Sequence, residues 1–122
     1  MKPGRRHGRA AVLLALAASL LVGAANDDAP PARIVKVVAQ RFHYTPNEIE
    51  LKTGQPVVLE FTALDFTHGF NIPDLAIRAD LRAGAVTRVR LQPEKAGAYD
   101  FLCDNFCGAG HEEMNGRIVV RD

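Results

Sequence analysis

An all-β sandwich is the fold the sequence predicts, on three observations. Short β-branched or alternating segments recur at intervals of about 8–12 residues. Gly, Pro, Asn and Asp clusters separate them. Outside one N-terminal run, no window of about a dozen residues carries an apolar stripe of helical period. Strands in that rhythm favour an antiparallel sandwich or barrel over a βαβ sheet. No internal repeat or low-complexity tract interrupts it.

The elements follow in order. Met1–Ala25 opens with Lys2, Arg5, Arg6 and Arg9 and then runs apolar from Ala10 to Ala25, with Ser19 as its one hydroxyl. That run is shorter than the roughly 20 residues needed to span a hydrocarbon core. Gly23 and Ala25 are the small residues that cleavage after Ala25 requires, so 1–25 reads as a signal peptide, with an uncleaved anchor helix as the alternative. No cysteine near the run offers a lipid site, and Arg5-Arg6 is a twin-arginine pair of the kind some export signals carry. Residues 26–32, containing Asn26-Asp27-Asp28-Ala29-Pro30-Pro31, read as a linker. The domain proper is then 33–122.

Within it, Ile34–Gln40 is rich in β-branched residues and Glu48-Ile49-Glu50-Leu51-Lys52 alternates with period two. Thr53-Gly54-Gln55 turns the chain into Val57–Phe61. Val86–Leu91 is closed by Gln92–Gly97, and Ala98–Leu102 and Gly116–Val120 are the last two strands.

Composition narrows the function. The whole chain has 15 basic and 14 acidic residues, and the four basic residues of 1–25 leave 26–122 with eleven against fourteen, a net charge of −3. That balance argues against a basic nucleic-acid-binding surface. At 48% hydrophobic residues the chain is not disordered, and two cysteines do not make a disulfide scaffold.

Chemistry concentrates in one segment. After residue 25 the sulfur atoms are those of Cys103, Cys107 and Met114, and the histidines are His43, His68 and His111. Three sulfurs and one imidazole therefore fall between Cys103 and Met114 as C-x3-C-x3-H-x2-M. A helix would put them on one face, but Gly108 and Gly110 each cost about 1 kcal/mol in a helix interior. A continuous strand would hold the two cysteines roughly 13 Å apart, at about 3.3 Å per residue. A loop folding back at the end of Ala98–Leu102, with Gly108 and Gly110 supplying backbone freedom, meets both objections.

Thiolate and thioether are soft donors and imidazole is borderline, a set that suits copper. Two thiolates can bridge two copper ions, each then needing a terminal histidine and a weak further ligand. The loop offers His111 and Met114, and His68, following the Val57–Phe61 strand, is placed to supply the second imidazole. His43, between Phe42 and Tyr44, reads as structural or exposed. Asp100, Asp104, Glu112 and Glu113 form a charged rim that could attract a basic partner.

Thr67–Leu75, followed by Ala96–Leu102 running into the Cys103–Met114 loop, resembles the binuclear copper (CuA) domain of cytochrome c oxidase subunit II and of nitrous oxide reductase. The likeness covers roughly Arg33 to Asp122. It implies a cupredoxin-like Greek-key sandwich and a two-copper centre that carries single electrons without turning over a substrate. By resemblance, Cys103 and Cys107 bridge both coppers, His68 and Met114 complete one metal, and His111 with the backbone carbonyl of Asn105 completes the other. Asp65 matches an acidic position such domains often carry near the site. The resemblance also implies a redox partner such as a c-type cytochrome or terminal oxidase, in the periplasm or another exported compartment, with membrane attachment only if the N-terminal segment is retained. Subunit II often has glutamate where this chain has Asn105, which a main-chain ligand tolerates. A membrane hairpin and a tryptophan surface are missing from the chain, which reads as the copper domain standing alone.

Other uses of the same residues stay open at the level of sequence. A copper-handling protein that passes ions on would need the same ligands. Cys103, Cys107, His111 and His68 could hold structural zinc, leaving Met114 unexplained. Cys103 and Cys107 could pair as a disulfide in the apo protein, requiring reduction before loading.

Overall fold

The computed structural model describes residues 3–4, 31–106 and 108–122. The expected 1–25 helix and most of the 26–32 linker lie outside them, as does Cys107.

Nine strands form two facing sheets. In chain order they are β1 (Arg33–Gln40), β2 (His43–Thr45), β3 (Glu48–Lys52), β4 (Val57–Ala63), β5 (His68–Ile72), β6 (Ile77–Leu81), β7 (Val86–Leu91), β8 (Gly97–Leu102) and β9 (Asn115–Arg121). One sheet has the order β2-β1-β4-β7 and the other β3-β9-β8-β5-β6. Short 3-10 turns occupy Pro73–Leu75 and His111–Glu113, and the described residues form no α-helix. None of them makes a helix long and apolar enough to cross a membrane.

The sandwich expectation holds, and the antiparallel expectation holds for all strand pairs but two. β1 runs parallel to β4, with Val37 opposite Phe61, and β3 runs parallel to β9, with Ile49 opposite Ile118. The remaining strand pairs are antiparallel. Each parallel pair joins strands with other elements between them in sequence, as parallel pairing requires.

Period-two patterning sends one side of each strand inward. From the first sheet come Val37, Ala39, Leu59 and Phe61; from the second come Leu51, Phe70, Ile72, Phe101 and Ile118. Aromatic rings fill the centre, with Phe61–Phe70 centroids at 4.5 Å, Tyr44–Phe101 at 5.1 Å and Phe70–Phe101 at 5.3 Å. Each fully buried ring or branched side chain contributes roughly 1.5–3 kcal/mol by leaving water. Cys103 and Met114 belong to this same buried cluster, so the top of the core is also the floor of the site.

Candidate metal centre

Three connections converge at one end of the sandwich: the β1–β2 turn, the β4–β5 loop and the Cys103–Met114 segment between β8 and β9. Their contact is direct. Arg41 N–H donates to Asp65 Oδ2 at 2.8 Å, joining the first two. Asn105 Nδ2 donates to the Thr67 carbonyl at 3.0 Å, joining the second and third. The Phe42 ring lies beneath Gly108 and Gly110, where an added Cβ would meet it at 3.5 and 3.1 Å.

His68 is the first residue of β5 and is wholly buried. Its Nε2 lies 2.8 Å from Asp65 Oδ1. An ionised carboxylate only accepts, so Nε2 carries the proton and Nδ1 keeps its lone pair. Nδ1 faces Cys103 Sγ at 4.0 Å. Asp65 is thus the anchor that sets this tautomer. Burial works to raise the Asp65 carboxyl, but hydrogen bonds from Arg41 N–H, the His68 ring and Phe66 N–H outweigh it and hold its pKa at about 2, below the ordinary 3.8.

Cys103, immediately after β8, is a free cysteine only 2% exposed. Its sulfur accepts the Gly69 N–H at 3.3 Å and donates to the Asn105 carbonyl at 3.3 Å. Met114 is 1% exposed and closes the segment by its backbone: Cys103 N–H donates to the Met114 carbonyl at 3.0 Å, and Met114 N–H to the His111 carbonyl at 3.1 Å. His111 opens the second 3-10 turn, half-buried, with its ring 5.8 Å from that of Phe106. The fold-back expected from the glycines is present, Gly108 having φ +130° and Gly110 φ +102°.

His68, Cys103 and the Asn105 carbonyl are therefore brought together, with Met114 hydrogen-bonded to Cys103 through the backbone and His111 one turn before it. Cys107 lies outside the described residues. Among those residues, no three of His, Cys, Asp and Glu form a ready cage. The donors that do meet suit a soft or borderline metal: a sulfur, an imidazole lone pair and a carbonyl. The 4.0 Å span from sulfur to nitrogen is one that a single ion can bridge at about 2.3 Å to sulfur and about 2.0 Å to nitrogen, the lengths usual for zinc. His43 lies exposed on β2, with its Nε2 3.0 Å from Gln40 Nε2.

Residues 10–120 match the model of the cupredoxin-like domain. The chain belongs to the cupredoxin-like domain family. It is 37% identical over 93 residues to cytochrome c oxidase subunit 2 of Thermus thermophilus, covering 76% of this chain and 69% of that one. It spans 55% of another T. thermophilus subunit 2 of similar likeness. Nitrous-oxide reductase of Ralstonia nicotianae is 34% identical over 90 residues, 70% of this chain and 14% of the reductase. Among solved structures, a copper binding protein in the apo form is 27% identical, with a TM-score of 0.59 over 72% of this chain and 86% of its own.

Three features of this cupredoxin-like domain escape a reading of its sequence. Asp65 was singled out by likeness alone, and its hydrogen bond to His68 is a contact that the i, i+3 spacing permits without requiring. Tyr44 on β2 donates from its hydroxyl to the Gly69 carbonyl at 2.6 Å, across 25 residues of chain. Arg78 on β6 grips Asp104 with two nitrogens, at 2.6 and 3.0 Å. The last two contacts join strands whose adjacency only the sheet order reveals.

Proposed function

We propose that this domain binds two copper ions in a CuA-type centre and carries single electrons in an exported, periplasmic setting. The observation that carries the reading is the 4.0 Å approach of the His68 Nδ1 lone pair to Cys103 Sγ, with the Asn105 carbonyl on the same sulfur. It is supported by the buried position of Met114 and by the family's membership of oxidase and nitrous-oxide reductase relatives.

Cys103 and Cys107 would bridge the pair, His68 and Met114 completing one metal and His111 with the Asn105 carbonyl the other. When bound, the copper pair would supply a one-electron redox centre. The chain's residues do the rest. The cysteines would bind as thiolates, so metal uptake would release their protons. Asp65 engages His68 Nε2, which leaves Nδ1 facing the Cys103 sulfur. The aromatic floor of Phe70 and Phe101 excludes water and fixes the strands that carry His68 and Cys103. The partner in this reading is a c-type cytochrome or a terminal oxidase.

Copper analysis with electron paramagnetic resonance tests it. Two coppers per chain, a purple colour and a seven-line hyperfine pattern are expected, and Cys107→Ser should abolish all three. A Cys107→Ser protein keeping two coppers and an unchanged spectrum would refute the bridge.

A second reading is delivery of copper rather than of electrons, favoured by the likeness to the copper binding protein. It predicts a colourless cuprous protein that yields its metal readily to a chelator. Loading in equimolar copper and zinc separates both from a structural zinc site.

A further inference from the structure

The residue after Cys103 is held from outside the loop. Arg78 donates from Nε to Asp104 Oδ2 at 2.6 Å and from Nη2 to Oδ1 at 3.0 Å, while its Nη1 reaches Asp80 Oδ1 at 2.8 Å. Arg78 and Asp80 sit on β6 opposite Asn71 and Gly69 of β5. The Asp104 carboxylate lies directly on Gly69: a Cβ there would collide with Oδ1 and stand 3.1 Å from the Asp104 backbone nitrogen. Gly69 is pinned from its other side by the Tyr44 hydroxyl on its carbonyl. Its N–H points at Cys103 Sγ, 3.3 Å away. Arg78, Asp104, Gly69 and the Cys103 sulfur thus form one continuous chain of contacts.

We propose that Arg78 is a positioning residue for the Cys103 sulfur: by gripping Asp104 it seats the loop on Gly69, holds the Gly69 N–H on that sulfur, and offsets the carboxylate's charge beside it. Only the last part, an effect on potential, rests on the copper reading above. The pair is too exposed to matter as a source of stability, since surface ion pairs contribute about 0–1 kcal/mol. What the guanidinium adds is a planar fork that fixes a carboxylate in two directions, which a lysine ammonium does not do.

The test compares Arg78→Lys, Arg78→Gln and Asp104→Asn in the full chain. In the metal-free, reduced protein, Gly69 amide exchange read by nuclear magnetic resonance should quicken about tenfold in Arg78→Gln and Asp104→Asn, and in Arg78→Lys as well, while Ile118 in β9 stays as in the parent. In the copper-loaded protein, Arg78→Gln leaves Asp104 uncompensated and favours the more positive, oxidised centre, so the potential falls. Asp104→Asn raises it. A tenfold change in the redox equilibrium corresponds to about 59 mV for one electron. Arg78→Lys, which keeps the charge but not the fork, restores the potential and not the exchange rate, a split that simple destabilisation would not produce. Parent-like Gly69 exchange in all three variants overturns the proposal. If the parent takes up no copper pair, the copper reading fails, and the exchange measurement still decides the role of Arg78.

Discussion

At the scale of single residues the site depends on which atom of each side chain is free to bind. His68 is buried with Nε2 committed to Asp65, so its Nδ1 is the donor available to a metal. Asp65→Ala removes that anchor and lets the ring turn or change tautomer. Loss of such an outer partner typically costs 10–100-fold in metal affinity. The expected result is a drop of about that size in copper affinity, measured by competition with a cuprous chelator, with Asp65→Asn intermediate because its side-chain oxygen still accepts from Nε2. Affinity unchanged in Asp65→Ala would mean that packing alone orients His68. Met114 poses a different question, since it fills core space as well as offering a thioether. Leucine conserves its volume, and such swaps usually cost less than about 1.5 kcal/mol. Met114→Leu should therefore melt close to the parent and, under the two-copper reading, keep its copper content while its absorption spectrum and potential change. An unaltered spectrum would assign Met114 to the core and not to the metal.

At the scale of elements, the loop is shaped by its glycines and by the ring beneath them. Gly110 has φ +102°, and a Cβ added there would meet the Phe42 ring at 3.1–3.3 Å. Gly54 also has a positive φ, +79°, but open space around it, in the turn before β4. Alanine at either position adds backbone strain of about 1–3 kcal/mol. Gly110→Ala should in addition push the loop off Phe42 and speed copper loss, whereas Gly54→Ala should lower the melting temperature alone. Equal copper release from both would show that the loop tolerates the displacement. The same scale explains what was legible in sequence. β3 alternates cleanly, β1, β4 and β7 are rich in valine, isoleucine and leucine, and β8 and β9 flank the sulfur cluster, so all six are recognisable. β2 is three residues long and hides in a turn-like stretch. β5 buries His68, Phe70 and Ile72 on one face, but a histidine in the first inward position and Gly69 beside it mask the alternation. β6 does alternate, Ile77, Ala79 and Leu81 against Arg78 and Asp80, yet it is short and charged on its outer face, so the sequence does not single it out. The loop's candidate ligands share one segment and so announce themselves by spacing. Arg78 does not, because nothing local connects a charged residue on an edge strand to a cysteine 25 positions on.

At the scale of the whole molecule, the site sits at an end where exposed apolar side chains gather among the described residues. Phe106 is 78% exposed on the Cys103–Met114 loop, and Leu64 and Phe66 stand exposed on the β4–β5 loop that Asn105 ties to it. Arg41 covers the Phe66 ring from 3.6 Å. Acidic Asp104, Glu112 and Glu113 border this cap, and residues 26–122 carry a net charge of −3. An electron carrier needs such an arrangement: a small apolar contact that brings two centres close, within a field that steers a basic partner and is screened over about 8–10 Å at ordinary salt. Under the electron-transfer reading, a basic c-type cytochrome should reduce the centre at a rate that falls as ionic strength rises. Glu112→Gln with Glu113→Gln should flatten that salt dependence. Phe106→Ala should slow the reaction at every salt concentration, because it removes contact area and not charge. Both variants should keep the parent's copper content and spectrum, so that a slower rate reports docking and not a damaged centre. Delivery of copper predicts otherwise, with cytochrome reduction absent in the parent and metal passing instead to a cuprous acceptor. Stopped-flow mixing of the loaded domain with reduced cytochrome, at two ionic strengths, distinguishes the two outcomes. A rate indifferent both to salt and to Phe106 would place the docking face elsewhere on the sandwich.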